Sequence, residues 1–191
     1  MPQKPLLITG FKPWGDRSSN ITQQVLEDLR PELKRRGIEI AVLDVLYDAV
    51  DDFIASLKTR DYFNVISLGI MRQSAPPIRF ETIGRKTAFK SDDNGKCPVF
   101  NAAAAAHYSG APSLLALRDH EKLRGYDVGL SDQAGSYLCE YLYYRTLENV
   151  TPKGNAAVFI HMSNDDLSGK KQFLLDYLDA LDIPRQEAPQ L

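Results

Sequence analysis

Apolar runs rich in Val, Ile and Leu alternate along the chain with longer amphipathic stretches. Continuous apolar runs are typical of buried strands, and their alternation with amphipathic stretches is typical of an α/β layered domain. The pattern predicts strands over residues 5–11, 38–47, 63–70 and 156–162, a more alternating strand nearer the sheet edge over 78–84, and a short strand over 127–131.

The amphipathic stretches predict helices over residues 20–37, 49–60, 134–150 and 168–182, and a further helix near 113–124 after an irregular loop. Asn20 and Ser168 are suited to cap the first and last of these, and Pro31 should bend the first helix. The helix over 134–150 carries a core stripe of Leu138, Tyr141 and Leu142, and it contains Cys139 about two turns in, at the edge of the stripe.

Composition narrows the class of protein. The 191 residues are 43% hydrophobic and 25% charged, with a net charge of -2, which fits one globular domain over 1–191, and we expect 183–191 to be a flexible tail. No basic patch indicates nucleic-acid binding, and no segment approaches the roughly 18 apolar residues of a membrane span. The N-terminal run is too short for a signal peptide, and two cysteines without Cys-x-x-Cys spacing indicate a reduced compartment, so we expect a cytoplasmic protein.

Cys139 is the first candidate for chemistry. A thiol needs a neighbouring base to become a nucleophile at neutral pH, and His161 is best placed, because it emerges at the end of a buried strand. Glu81 could orient the imidazole, since strand alternation sets it opposite Phe80. From the residues alone, a buried structural cysteine and a surface-paired glutamate remain open alternatives.

Other chemistry has weaker signals. Phe11 and Trp14 lie in the turn after the first strand, at the end of an open sheet where ligands usually bind, although packing on their neighbours is an equal alternative. That turn lacks the glycine spacing of a phosphate-binding loop. The acidic turn over 92–94 lacks the spacing and closing Glu of a calcium loop, so we read it as a solvated turn and expect no metal site.

The motifs resemble those of the pyroglutamyl peptidase I family, also called pyrrolidone-carboxylate peptidases, nearly end to end. The family's Gly-Phe-x-Pro-Phe-Gly turn and following Asn are similar to "TGFKPWGDRSSNIT", in which Phe11 and Asn20 match. Its Ser-Asn-Ser-Ala-Gly-Thr-Tyr-x-Cys-Asn motif is similar to "SDQAGSYLCE" and its Phe-Ile-His-Val-Pro to "FIHMS", and "IRFETIG" occupies the place of its catalytic glutamate. The resemblance implies that Cys139, His161 and Glu81 are nucleophile, base and orienting acid.

The same resemblance implies a three-layer α/β/α sandwich with a mixed, mostly parallel sheet, without cofactor, that forms a homo-oligomer, a dimer or a tetramer. It implies a cysteine peptidase that removes N-terminal pyroglutamate from a small peptide or amide through a thioester. Phe11, Trp14, Asn20, Ile70 and Leu138 are the implied substrate-binding residues.

Departures from the family pattern concern recognition. Ile70 replaces the Gln of Gly-Gln-Ala-Gly-Gly-Arg, and "MRQS" follows without the glycine pair. Trp14 replaces a Phe, Asp132 and Gln133 replace Asn and Ser, and Ser163 replaces Pro. Two alternatives therefore stay open: the same triad acting on a different N-acyl or cyclic amide, or a non-catalytic binding protein on the same fold.

Overall fold

A central six-stranded sheet organises the chain in the computed structural model, which describes residues 5–60, 64–71, 76–87, 89–100 and 103–181. The strands are β1 (Leu6–Phe11), β2 (Glu39–Leu43), β3 (Asn64–Ile70), β4 (Ile78–Glu81), β7 (Val128–Ser131) and β8 (Ala156–Met162), with β5 (Ile83–Arg85) and β6 (His107–Ser109) forming a separate antiparallel pair. The helices are α1 (Ile21–Arg35), α2 (Tyr47–Thr59), α3 (Pro112–Ala116), α4 (Leu138–Val150) and α5 (Leu167–Ala180). The expected tail over 183–191 lies outside the described residues.

The strand order is β2-β1-β3-β8-β4-β7. The first four strands in this order run parallel, whereas β4 is antiparallel to β8 and β7 follows the direction of β4. The prediction of a mixed, mostly parallel sheet is therefore confirmed. The reversal at β8 and β4 matters for function, because it sets the start of β4 beside the end of β8.

Two apolar clusters cover the two faces of the sheet. One cluster joins the sheet to α1 and α5 through residues such as Val25, Leu26 and Phe173, and the other joins it to α2 and α4 through Ile54 and Tyr141. Side chains alternate along each strand, so neighbouring residues belong to opposite faces. The layers are thus helix, sheet and helix, as predicted.

Several predicted element ends are wrong. The strand predicted to run to residue 47 stops at Leu43, because Asp92 accepts the backbone N–H of Tyr47 at 3.0 Å and so supplies a cap for α2. Asp92 is buried and also accepts from Asn94 and Lys96, so it is not a residue of a solvated turn. Its carboxyl would have a raised pKa from burial alone, but these N–H donors outweigh burial and lower it.

The last helix is capped by Asp166 and not by Ser168. Asp166 adopts a left-handed conformation, with φ 48°, and its carboxylate accepts the N–H of Gly169 at 3.0 Å. Asn20 does cap α1, as predicted, by accepting from Thr22 at 2.9 Å. Helix α1 continues through Pro31, and no helix in the described ranges is long and apolar enough to cross a membrane.

Candidate active site

Helix α4 begins later than the sequence predicts. The stretch from Ala134 to Tyr137 is not helical, Gly135 has φ 107°, and the helix starts at Leu138. Cys139 is therefore the second residue of α4, not two turns into it. This position brings the thiol to the positive end of the helix dipole.

Gly69 makes room for that thiol. It lies on β3 in register with His161, and a Cβ on Gly69 would stand 2.9 Å from Cys139 Sγ and 2.7 Å from the ring of Phe159. Real Cβ atoms do not approach other atoms so closely, so any side chain would displace the thiol or the ring. Gly69 is absent from the residues predicted for the site, although a glycine near the end of an apolar strand signals close approach by another group.

His161 and Glu81 face the same side of the sheet as Cys139. On β4, Ile78 and Phe80 pack into the cluster on the α1 and α5 side, so Arg79 and Glu81 project to the other side, as alternation predicts. Since Arg79 pairs with His161 across the antiparallel strands, Glu81 is the diagonal neighbour of His161. Nδ1 of His161 lies 2.7 Å from Oε1 of Glu81.

Cys139, His161 and Glu81 form a continuous chain of contacts. The thiol of Cys139 hydrogen-bonds to the imidazole of His161, and since Nδ1 contacts Glu81, Nε2 is the nitrogen left for the thiol. Glu81 and His161 are buried, and Cys139 is half-buried. The structure thus brings together the three residues that the motifs single out.

Burial alone would lower the pKa of His161, but its hydrogen bonds to Cys139 and Glu81, with the charges of both, outweigh burial and raise the pKa to about 9. The second carboxylate oxygen of Glu81 has no hydrogen-bond partner within the described ranges. A buried carboxylate with one oxygen unpaired has a strong preference for a cationic neighbour. At neutral pH the raised pKa keeps the His161 imidazole protonated.

The candidate substrate-binding residues lie in different surroundings. Phe11 is buried at the end of β1, and continuing the register of β1 with β3 by two residues places it level with Gly69. Trp14 is half-buried and packs against the apolar cluster on the α2 and α4 side of the sheet. The guanidinium of Arg17 lies 4.7 Å from the centroid of the Trp14 ring. Phe11 and Trp14 therefore stand on the sheet face that carries Cys139.

The other three candidate residues, Asn20, Leu138 and Ile70, hydrogen-bond to the backbone or pack in the apolar clusters. Besides capping α1, Asn20 donates to the carbonyl of Lys12 at 3.1 Å, which fixes the turn that carries Trp14. Leu138 is buried in the α2 and α4 cluster next to Cys139. Ile70 packs against the cluster on the opposite face of the sheet, so the structure does not bring its side chain to the face of Cys139. The residues 72–74 that follow it lie outside the described ranges.

Asp132, which departs from the family motif, and the buried acid Glu140 hold the loop before Cys139. Asp132 pairs with Arg85 at 2.8 Å, and the Arg85 guanidinium, by hydrogen bonding and charge, lowers the pKa of the Asp132 carboxyl. Glu140 is buried and accepts the backbone N–H of Arg85 at 2.5 Å and that of Ala134. No local pattern in the sequence indicates the roles of Glu140 and Arg85, because only the fold brings β5 against the start of α4.

Two further departures, Ser163 and Gln133, take no part in the contacts among Arg85, Asp132 and Glu140. Ser163 is buried after β8, donates its N–H to the carbonyl of Pro77 at 2.9 Å and hydrogen-bonds to Asp165. Gln133 is exposed in the loop. Over the parts of the chain that the structure describes, no cluster of His, Cys, Asp or Glu could hold a metal ion.

Comparisons with known proteins agree with this architecture. A pyrrolidone-carboxylate peptidase of Halalkalibacterium halodurans is 27% identical over 94% of each chain, and one of Pyrococcus furiosus is 29% identical over 82% of this chain and 79% of its own length. The crystal structure of a pyrrolidone carboxyl peptidase from Fervidobacterium islandicum superposes with a TM-score of 0.82 at 18% identity, covering 94% of this chain and 99% of that one.

The family model described as pyroglutamyl peptidase matches residues 4–164, which include every residue of the Cys139, His161 and Glu81 group. The match covers most of the chain, and it extends from β1 to the end of β8. The chain belongs to the pyroglutamyl peptidase family, and it is a cysteine-type hydrolase of the kind that this family comprises.

Proposed function

We propose that the protein hydrolyses the amide bond that follows an N-terminal pyroglutamyl residue, with Cys139 as nucleophile, His161 as base and acid, and Glu81 as the group that orients the imidazole. The observation that carries the proposal is the chain of contacts from the half-buried thiol through the imidazole to the buried carboxylate. In this chain Nδ1 of His161 lies 2.7 Å from Oε1 of Glu81. Family membership supports pyroglutamate as the acyl group.

The reaction has two halves. The Cys139 thiolate attacks the carbonyl carbon of the amide, and His161 donates its Nε2 proton to the leaving amine, which leaves a thioester on Cys139. A water molecule then loses a proton to His161 as it attacks the thioester, so pyroglutamate is released and the thiol is restored. Glu81 stabilises the imidazolium in both halves and keeps Nδ1 protonated.

The start of α4 supplies groups that suit the oxyanion. The first N–H groups of a helix have no partner within the helix, and the N–H of Cys139 belongs to this set. An N–H donor of this kind contributes roughly 3 kcal/mol to a transition state with a negative oxygen. The aromatic faces of Phe11 and Trp14 suit the flat, partly apolar lactam ring.

Hydrolysis of a fluorogenic pyroglutamyl amide tests the proposal. Cys139→Ala should reduce kcat/KM by more than about a thousandfold, because no other group replaces the nucleophile. Cys97→Ala is the matched control, since Cys97 is the exposed second cysteine and should leave the rate unchanged. The prolyl amide, which lacks the lactam oxygen, should be a poor substrate. Full activity in Cys139→Ala would contradict the mechanism.

A different N-acyl or cyclic amide is the second candidate substrate. The Arg85–Asp132 pair beside the nucleophile loop and the orientation of Ile70 toward the opposite face favour a changed recognition site. A panel of N-acyl and cyclic amides separates the two substrates by kcat/KM. The cytoplasmic location and the homo-oligomer remain predictions, and sedimentation analysis of the purified chain tests the oligomer.

A further inference from the structure

Glu140 is a buried acid that the proposed reaction does not use. It follows Cys139 in the first turn of α4, and its side chain is only 1% exposed. Acidic residues at this depth require hydrogen-bond donors or a cation. The neighbours of Glu140 therefore indicate what it does.

Its carboxylate joins two segments that are distant in sequence. Oε1 accepts the N–H of Arg85 on β5 at 2.5 Å, and the carboxylate also accepts the N–H of Ala134, in the loop that leads into α4. The same two segments meet where Thr82 donates its N–H and its hydroxyl to the carbonyl of Ser131, at 2.7 and 3.0 Å. Arg85 also donates to the carbonyl and carboxylate of Asp132.

These contacts bear on the nucleophile through the backbone. Ala134 and Cys139 are separated by a non-helical stretch that contains Gly135, whose φ of 107° is open to few other residues. Such a stretch has many alternative conformations unless a fixed group holds it. Glu140 lies on the helix that carries the Cys139 thiol, and its carboxylate binds the N–H of Ala134 in the loop. The loop and the start of α4 are therefore fixed to each other.

We propose that Glu140 is a positioning residue for Cys139: by holding Ala134 and Arg85 against the first turn of α4, it sets the orientation of the thiol and of the N–H groups at the helix start. The proposal rests on the acyl transfer inferred above. A shift of about 1 Å in such groups is enough to slow an enzyme by up to a hundredfold.

The charge of Glu140 should change near neutral pH. Burial raises the pKa of its carboxyl to about 7, against the opposing N–H donors of Arg85 and Ala134. The charged or titratable groups that face it are Glu81 on β4, Arg85 on β5 and Tyr143 on its own helix. Ionisation strengthens both N–H bonds and adds a negative charge near the reacting pair, so the site should respond to pH near 7.

Glu140→Gln tests this role, because the amide has the same shape but only one oxygen to accept the two N–H groups. With the pyroglutamyl amide, kcat should fall about tenfold while KM changes less than about twofold, since the substrate ring binds elsewhere. Glu148→Gln is the matched control on the same helix, where the carboxylate pairs with Arg145. Equal losses in both variants, or an unchanged kcat in Glu140→Gln, would overturn the proposal.

A second readout does not need the substrate. The rate at which iodoacetamide alkylates Cys139, measured from pH 5 to 9 in a Cys97→Ala background, should show an inflection near pH 7 that Glu140→Gln lacks. If the chain does not hydrolyse pyroglutamyl amides, the proposed function fails and this profile still decides the role of Glu140. Should Glu140→Gln not fold, Glu140→Asp decides: it keeps a carboxylate, so the inflection should remain, and its absence would contradict the proposal.

Discussion

At the scale of single residues, the reactivity that we propose for Cys139 depends on its surroundings. Cys139 lies at a helix start and beside an imidazole whose pKa is raised to about 9. Glu81 contributes to that raised pKa from a buried position with a 2.7 Å contact. The proposed chemistry therefore depends on the charge of a carboxylate that contacts the imidazole of His161.

Glu81→Gln should lower the pKa of His161, because it removes the negative partner while keeping the shape of the side chain. In the wild type, His161 stays charged until the pH approaches about 9; in the variant a smaller fraction is charged at pH 7. Alkylation of Cys139 at pH 7 should slow about tenfold. NMR titration of His161 checks the cause directly, and Glu27→Gln, at an exposed ion pair with Arg30, should change neither measurement.

At the scale of elements, the site depends on where strands and helices end. β8 presents His161 one residue before its end, β4 ends on Glu81, and α4 begins one residue before Cys139. Asp92 likewise fixes an element end, because its carboxylate accepts the N–H of Tyr47, the first residue of α2. His161, Glu81 and Cys139 thus all lie at the end of a strand or helix, or one residue from it.

Gly69→Ala should inactivate the enzyme. Its Cβ would meet Cys139 Sγ and Phe159, so the thiol must leave its contact with His161 or the strand must shift. Overpacking of this kind costs about 1 to 3 kcal/mol of unfolding free energy, which urea denaturation measures. Gly125→Ala is the control, because a Cβ there meets nothing within 4 Å. An active and equally stable Gly69→Ala would show that the site tolerates a side chain at this position.

At the scale of the whole molecule, stability and charge at the site are linked. The pKa of His161 lies above its ordinary 6.5, so its contribution to stability is complete below about pH 6.5 and is lost as the pH rises to about 9. The pKa of Glu140 lies above its ordinary 4.5, so the folded state loses stability as the pH rises from 4.5 to about 7. Both groups make the fold less stable toward alkaline pH.

The free energy of unfolding should therefore decline between about pH 5 and 9, with His161 contributing on the order of 3 kcal/mol. Glu140→Gln should flatten the decline below about pH 7, because the amide does not ionise. Cys139→Ala should flatten it above about pH 7, because His161 loses one of its two hydrogen-bonding partners. Urea denaturation at a series of pH values measures both, and parallel curves for wild type and variants would contradict the linkage.

The sequence by itself determined the strands β1, β3 and β8, the face of Glu81 and, through the motif order, which three residues we propose to react. Apolar runs and alternation are local properties, so they can be read without knowing the fold. The tertiary structure decided the start of α4, the cap that Asp92 supplies, the face of Ile70 and the roles of Gly69 and Glu140. In each of these cases the deciding hydrogen bond or close contact joins segments that lie far apart in the chain, and no local pattern contains it.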